Sequence, residues 1–407
     1  MRILQLCKKF PYPLKDGESI AVNNLGKALH QLGCDLSLLA MNTSKHKADT
    51  SSIPDELAHY NVIETVEVDN RLKPIDALAN LFSGDSYHIS RFISNEFEAK
   101  LIQLLTDNKF DIIQLETLYL APYLSVIRKY SDAMIAMRAH NVEHEIWERI
   151  SSKQGFVLKK WYLKYLTGKL KRFEMDTLNE YDFLVAISER DLKEFKKLGY
   201  QNGAIASPVG IDLGAYKLDK AVDCDMKDLS LFFIGSLDWM PNWDGLMWFL
   251  DEVWSDIKSD EKVKLHIAGR NTPDSLMHRK IRNAVVHGEI PEAHQFIHQH
   301  DVMIVPLFSG SGMRVKILEG MAMGKAIITT SLGLEGIPAK DGEHVIIADD
   351  AVSFRKAIRR FQESPQLKVQ MGQKAKEFVR ENFDSIEIAQ KLLESYQYIT
   401  SDSYTHH

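Results

Sequence analysis

Apolar positions along the chain fall into short continuous runs separated by stretches of helical period. Arg2–Leu6 reads as a buried strand, and the polar stretch Lys8–Glu18 as a loop. From Ser19 to Leu32, Ile20, Leu25, Leu29 and Leu32 recur at helical spacing, and Gly33 supplies a left-handed stop. Further strands are expected at Asp35–Ala40, Asn61–Val66, Asp111–Leu115, Met134–Met137 and Phe183–Ala186, with helices near 74–82, 91–107, 120–129, 157–179 and 188–198. After Pro208-Val209-Gly210 the pattern restarts. Strands are expected at Ser230–Ile234, Val263–Ala268, Ala284–His287, Asp301–Val305, Ala326–Thr329 and His344–Ile347. Helices are expected at Trp243–Trp254 and near 291–299, 314–323, 350–362 and 366–381.

Strands that alternate with helices predict parallel sheets covered on both faces. The expected organisation is two α/β domains, 1–208 and 209–384, with a final helical segment, 385–407, packing back on the first. In open parallel sheets ligands bind beyond the carboxyl ends of the strands. Two such domains facing each other would place a ligand in the cleft between them.

Composition narrows the classes. The chain has 407 residues, 45% hydrophobic and 26% charged, which is globular usage. No run reaches the roughly 18–20 apolar residues of a spanning helix, and MRILQLCKKFPYP lacks a signal-peptide core, so a cytoplasmic protein is expected. Cys7, Cys34 and Cys224 lie far apart, which argues against a disulfide framework or a thiolate metal site. The net charge of −6 argues against nonspecific nucleic-acid binding. Charge is uneven, however: residues 153–172 hold seven Lys/Arg and no acid. Aromatics are interleaved there (Phe156, Trp161, Tyr165), and two readings stay open: a helix lying on an anionic membrane, or a helix of the first domain with snorkelling lysines.

The chemistry concentrates after the strand that ends at Pro306. Gly310-Ser311-Gly312-Met313 is a small-residue loop opening a helix, followed by Arg314, Lys316 and Glu319. Glycines let backbone N–H groups approach an anion, and a helix N-terminus adds partial positive charge. A phosphate there, with Glu319 one turn deeper accepting from a sugar hydroxyl, matches the two halves of a nucleoside diphosphate. The loop is neither a GxxxxGK[ST] phosphate loop nor a GxGxxG fingerprint.

The run Gly312-Met-Arg-Val-Lys-Ile-Leu-Glu319-Gly-Met-Ala-Met-Gly-Lys-Ala-Ile-Ile-Thr-Thr330, with Gly333-Leu-Glu-Gly336, resembles the nucleotide-sugar site of retaining GT-B glycosyltransferases (glycosyl transferases group 1, family-four type). Phe10–Gly17, Arg138–Glu143, Val185–Asp191, Pro208–Asp212 and Phe233–Asn242 resemble family segments in family order. The resemblance implies a GT-B fold: two Rossmann-like domains, with their parallel sheets facing a central cleft. It implies sugar transfer from a nucleotide diphosphate sugar to a glycan or lipid-linked acceptor, with retention, no metal and no other cofactor. It assigns His140, Arg314 and Lys316 to the chemistry. Donor binding falls to Gly17, Gly235, Ser236, Gly288, Gly310, Ser311, Gly312, Met313 and Glu319, and Glu116 and Asn141 are acceptor candidates. Two departures stand out. Ser311 occupies the place of the family's first Glu, and Gly235–Asn242 lacks the family's Arg and Lys, which leaves Arg314 and Lys316 to supply the charge.

Other candidates have ordinary readings. His144 is a rival to His140, and Glu116 reads most simply as a solvated loop acid. Trp239, Trp243 and Trp248 read as core, and His294, His298 and His300 as one solvated helix face. Two alternative functions remain: a sugar-nucleotide epimerase of the same shape, and a non-catalytic partner protein, which Ser311 invites.

Overall fold

The computed structural model describes residues 1–14, 16–50, 52–71, 86–152, 154–216, 228–310 and 312–405. The helix expected near 74–82 lies outside the described residues, as do Lys15, Lys153 and Ser311. The chain divides into two units: Met1–Gly210 with Ser385–His407, and Ile211–Asp384.

The first unit is built on seven parallel strands, β1 (Arg2–Cys7), β2 (Asp35–Thr43), β3 (Val62–Val68), β4 (Ile112–Leu115), β5 (Met134–Ala139), β6 (Phe183–Ala186) and β7 (Gly203–Ala206). Their order is β3-β2-β1-β4-β5-β6-β7, with Ile3 in register with Leu36 on one side and Ile112 on the other. Central strands are buried along both faces, which is why they read as apolar runs rather than alternations. One face packs Leu4, Leu6, Ile113 and Leu115 against Phe97, Leu101 and Leu170. On the other, Ile3, Leu36 and Ile112 pack with Val22, Leu25 and Leu29 of helix Gly17–Gln31. The last helix, Ser385–Thr405, adds Ala389, Leu392 and Tyr396 to this second core. Gly210 is required at the crossing: a Cβ there would lie 2.6 Å from Ser385 Cα.

The second unit has six strands, β8 (Leu229–Ile234), β9 (Val263–Ala268), β10 (Ala284–Gly288), β11 (Val302–Val305), β12 (Ala326–Thr329) and β13 (Ile346–Ile347). They are ordered β10-β9-β8-β11-β12-β13. This is the 3-2-1-4-5-6 order of a doubly wound dinucleotide-type sheet. In both sheets the order reverses beside the first strand, at β1/β4 and β8/β11. The loops after those strands carry Gly17, Glu116, Gly235 and Gly310, so the candidate residues lie where such sheets bind ligands.

Several elements depart from the expected pattern. The helix expected over 91–107 begins only at Asn95 and runs to Asp107, because the Ser94 side chain accepts from Phe97 N as its N-cap; a separate short helix, Tyr87–Ser90, precedes it. Over 120–129 the first turns, Leu118–Tyr123, are a 3₁₀ helix containing Pro122. Strand β7 was not expected: Gly-Ala-Ile-Ala carries little strand signal and is defined by pairing at the sheet edge. Helix Glu143–Ser152 was also missed. Its first N–H groups, those of Glu143 and His144, donate to the two carboxylate oxygens of Glu174 at 3.0 and 3.1 Å, a cap supplied from another helix.

Candidate functional site

In the second unit, β11 leads into a loop that turns through left-handed backbone at Gly310 (φ 96°) and Gly312 (φ 81°) before helix Val315–Ala322. A side chain at Gly310 would lie 3.0 Å from the Trp239 ring and 3.3 Å from Arg314 Nη2, so only glycine fits between them. Arg314 is buried at the helix start. Its Nη1 donates to Gly312 O at 2.6 Å, and its guanidinium lies 5.6 Å from the centre of the Trp239 ring. Trp239 was expected in the core but is 39% exposed, and it partly covers Arg314. Met313 is half-buried in the same loop.

Lys316 sits on the helix's first turn and reaches across to the end of β8. Its Nζ donates to Ile234 O at 3.2 Å and to Asn242 Oδ1 at 2.8 Å, and Asn242 Nδ2 in turn donates to Ser236 O at 2.9 Å. A Cβ on Gly235 would fall 2.7 Å from Asn242 Nδ2 and 3.2 Å from Lys316 Nζ, so glycine makes room for this bridge. Burial of the ammonium, helped by the neighbouring Arg314 charge, pulls the Lys316 pKa down to about 7. The two full positive charges expected from Arg314 and Lys316 are therefore corrected: near neutrality Lys316 is divided between its charged and neutral forms. At neutral pH an anion beside it would restore the full charge.

Glu319 Oε1 accepts from the Tyr216 hydroxyl at 3.0 Å, and burial raises the carboxyl's pKa. Tyr216 was not singled out from the sequence: it lies more than a hundred residues away, and only the fold brings it to Glu319. Gly288 closes β10 with φ 69°, and its carbonyl accepts from Gly269 N at 2.8 Å.

In the first unit, the ends of β4 and β5 bring Glu116, Arg138 and His140 together. His140 Nε2 lies 2.9 Å from Glu116 Oε2, and Arg138 Nη1 donates to that same oxygen at 3.1 Å. Gln5 Nε2 donates to Oε1 at 3.3 Å, and Gln114 Nε2 donates to it as well. Tyr60 and Tyr396 fix those amides by donating to Gln5 Oε1 and Gln114 Oε1. The solvated-acid reading of Glu116 is corrected: the residue is fully buried. Burial opposes its ionisation, but Arg138 and the hydrogen bonds outweigh that and hold its pKa at about 2. With both oxygens taken, Glu116 does not meet an acceptor; it orients His140. Arg138 and His140, two apart at a strand end, share a face, which is the sequence signal for their pairing.

His144 is excluded as a rival because its Nδ1 is held 2.6 Å from Glu174 Oε2, in the interior. Asn141 lines a small cavity with His140, Glu143 and Glu174. Glu143, unremarked as a site from the sequence, accepts from the Tyr119 hydroxyl at 3.1 Å. Its pKa rises to about 7, through burial first and the Glu174 charge second, against the pull of Lys8. Gly17 opens its helix beside Asp16, whose carboxylate caps Glu18 N and Ser19 N at 3.1 Å and pairs with Lys9 at 2.6 Å. Asp16 is thus a helix cap paired with Lys9.

The basic segment forms helix Val157–Asp176. Phe156, Val157, Leu158 and Trp161 at its start are all more than 60% exposed, beside Lys159 and Lys160. Among the described residues no helix is long and apolar enough to cross a membrane. His300 is not on a solvated face with His294 and His298: it is buried and grouped with His266 and His287 of the sheet.

The family model described as Glycosyl transferases group 1 matches residues 228–364, the greater part of the second unit. A Klebsiella pneumoniae protein described as an uncharacterized 44.6 kDa protein in the cps region is 24% identical over 398 residues, covering 94% of this chain and 97% of that protein. Sucrose-phosphate synthase from Thermosynechococcus elongatus superposes with a TM-score of 0.69 at 14% identity, covering 99% of this chain and 100% of that one. Anabaena Alr3699/HepE, solved in complex with UDP, superposes with a TM-score of 0.67 at 14% identity, covering 98% and 100%. The fold is thus that of GT-B glycosyltransferases, with two Rossmann-like domains. The match to the glycosyl transferases group 1 model covers the segment that carries the Gly310–Gly336 motifs.

Proposed function

We propose that the protein transfers a hexose-like sugar from a nucleotide diphosphate sugar to an acceptor hydroxyl, with retention at the anomeric carbon. The observation that carries this reading is the second unit's loop at the strand-order reversal: two left-handed glycines, then Arg314, Lys316 and Glu319. The helix N-terminus and Arg314 receive the diphosphate, and Lys316 gains its full charge as the anion arrives. Glu319 Oε2 accepts from the ribose, while Tyr216 occupies Oε1.

In the proposed step the bond from the anomeric carbon to the diphosphate oxygen breaks, and the acceptor oxygen bonds to that carbon on the same face. The acceptor proton passes to the leaving diphosphate oxygen. Developing negative charge on the leaving group is stabilised by Arg314, Lys316 and helix N–H groups, a preorganised electrostatic site. His140, whose Nε2 donates to Glu116, turns its Nδ1 to a hydroxyl of the donor sugar. The reading needs no metal ion in this step.

The acceptor is proposed to be a glycan or lipid-linked glycan in cell-surface polysaccharide assembly, a reading supported by the relative described as in a cps region. The exposed apolar and lysine residues at the start of helix Val157–Asp176 are proposed to rest on an anionic membrane surface, with the protein otherwise cytoplasmic. Thermal denaturation against a panel of nucleoside diphosphates and nucleotide sugars tests the donor reading, since a ligand that binds only the folded state raises Tm. One base family is expected to raise Tm in its diphosphate forms; no shift from any of them would overturn the reading.

A further inference from the structure

We propose that His266, His287 and His300 form a site for one divalent transition-metal ion of the zinc type. One ring nitrogen from each residue lies within 4.8 Å of the other two. The three come from β9, from β10 and from the residue that ends helix Ala293–Gln299 ahead of β11. The sheet builds the cluster by a local irregularity. His266 is in register with Val285, but the β9/β10 register shifts between Val286 and Gly288, and His287 is the extra residue there. Its Nε2 consequently lies 3.0 Å from His266 Nδ1.

The third ligand is preset. His300 Nδ1 lies 2.8 Å from Ser230 Oγ, while its Nε2 is buried without a hydrogen-bond partner among the described residues. A buried ring nitrogen left unpaired costs stability unless something fills its valence. If Nδ1 donates to Ser230, the Nε2 lone pair is available to a metal, the usual arrangement in which an outer hydrogen bond fixes a ligand's tautomer.

Three imidazoles suit zinc, copper or nickel rather than magnesium or calcium, which prefer oxygen. Zinc–nitrogen bonds of about 2.0–2.1 Å place donors of a tetrahedral site about 3.3 Å apart, close to the His266–His287 spacing. The rings of His266 and His300 now lie nearly face to face, with centroids 4.0 Å apart and planes at 23°. Binding therefore turns the half-buried His266 and the exposed His287 toward His300, and water completes the fourth position. The inference is independent of the glycosyltransferase reading.

The test is a calorimetric titration of the full chain with Zn²⁺, alongside Tm measured with Zn²⁺ and with Mg²⁺. A double variant, His406→Ala with His407→Ala, controls for the terminal pair. One Zn²⁺ per chain is expected in both proteins, with a Tm rise that Mg²⁺ does not reproduce. His287→Ala, at an exposed position, is expected to fold and to weaken zinc by about tenfold or more. Ser230→Ala is expected to weaken it by about tenfold through the lost outer hydrogen bond. Absence of saturable binding, loss of binding in the terminal double variant, or unchanged affinity in His287→Ala would each overturn the proposal.

Discussion

Glu116 Oε2 lies 2.9 Å from His140 Nε2 and is shared with Arg138 at 3.1 Å, so a buried carboxylate fixes the ring proposed to meet the sugar. His140→Ala should leave nucleoside diphosphate affinity nearly intact and cut turnover by about 10²–10⁴-fold. Steady-state kinetics with separate binding of the free diphosphate would show it; full activity would remove His140 from the site.

Glu116→Gln should lower kcat with little change in donor KM, because it loosens His140 and touches no donor contact. Glu116→Ala should cost about 3–5 kcal/mol of stability, since it strands the buried Arg138 without its carboxylate. Denaturant unfolding measures that loss. A Glu116→Ala protein of unchanged stability would show that the pair is not a structural support.

Arg314→Ala should weaken nucleoside diphosphate binding far more than nucleoside binding. The charge-assisted contact is worth roughly 1.5–3 kcal/mol and exists only where phosphate is present. Equal losses for both ligands in calorimetry would contradict the phosphate assignment.

Lys316 predicts a pH signature. Its pKa in the unliganded protein is about 7, and a bound diphosphate raises it. Below pH 7 the ammonium is already formed, and binding takes up little proton. Above it, binding must protonate the amine, so affinity falls as pH rises and the heat depends on the buffer's ionisation. The stability sign is opposite: burying this charge destabilises the fold below pH 7, and that penalty lifts as pH rises toward the unfolded lysine value. Lys316→Met should abolish both trends, and proton uptake that persists in the variant would assign it to another group.

How much of this was legible depends on how local each cause is. The strands β6, β9 and β12 were legible to the residue, because buried parallel strands are continuous apolar runs. The loop from Gly310 to Glu319 was legible because glycine, arginine and helix period are all local signals. Helix Glu143–Ser152 was not, since its cap is Glu174 on another helix. Nor were the Tyr216–Glu319 bond and the histidine cluster, whose partners meet only through sheet order and a register shift. The burial of Glu116 followed from the same limit: a loop acid after a strand looks solvated until Arg138 is placed beside it.

Glu319→Gln should reduce nucleotide affinity by on the order of 1–3 kcal/mol with little change in Tm, because one amide N–H would face a ribose donor. A large fall in Tm with unchanged affinity would make the Tyr216 contact its main role.

The central claim is sugar transfer, and the most direct measurement is sugar incorporation from labelled nucleotide sugars into cell-surface glycan or lipid-linked acceptors. It is run with and without a chelator, and with donor alone. The account predicts incorporation from one nucleotide sugar, release of its nucleoside diphosphate, survival of both under chelation and their loss in His140→Ala. A changed sugar with donor alone, or donor binding without transfer to any acceptor, would contradict it.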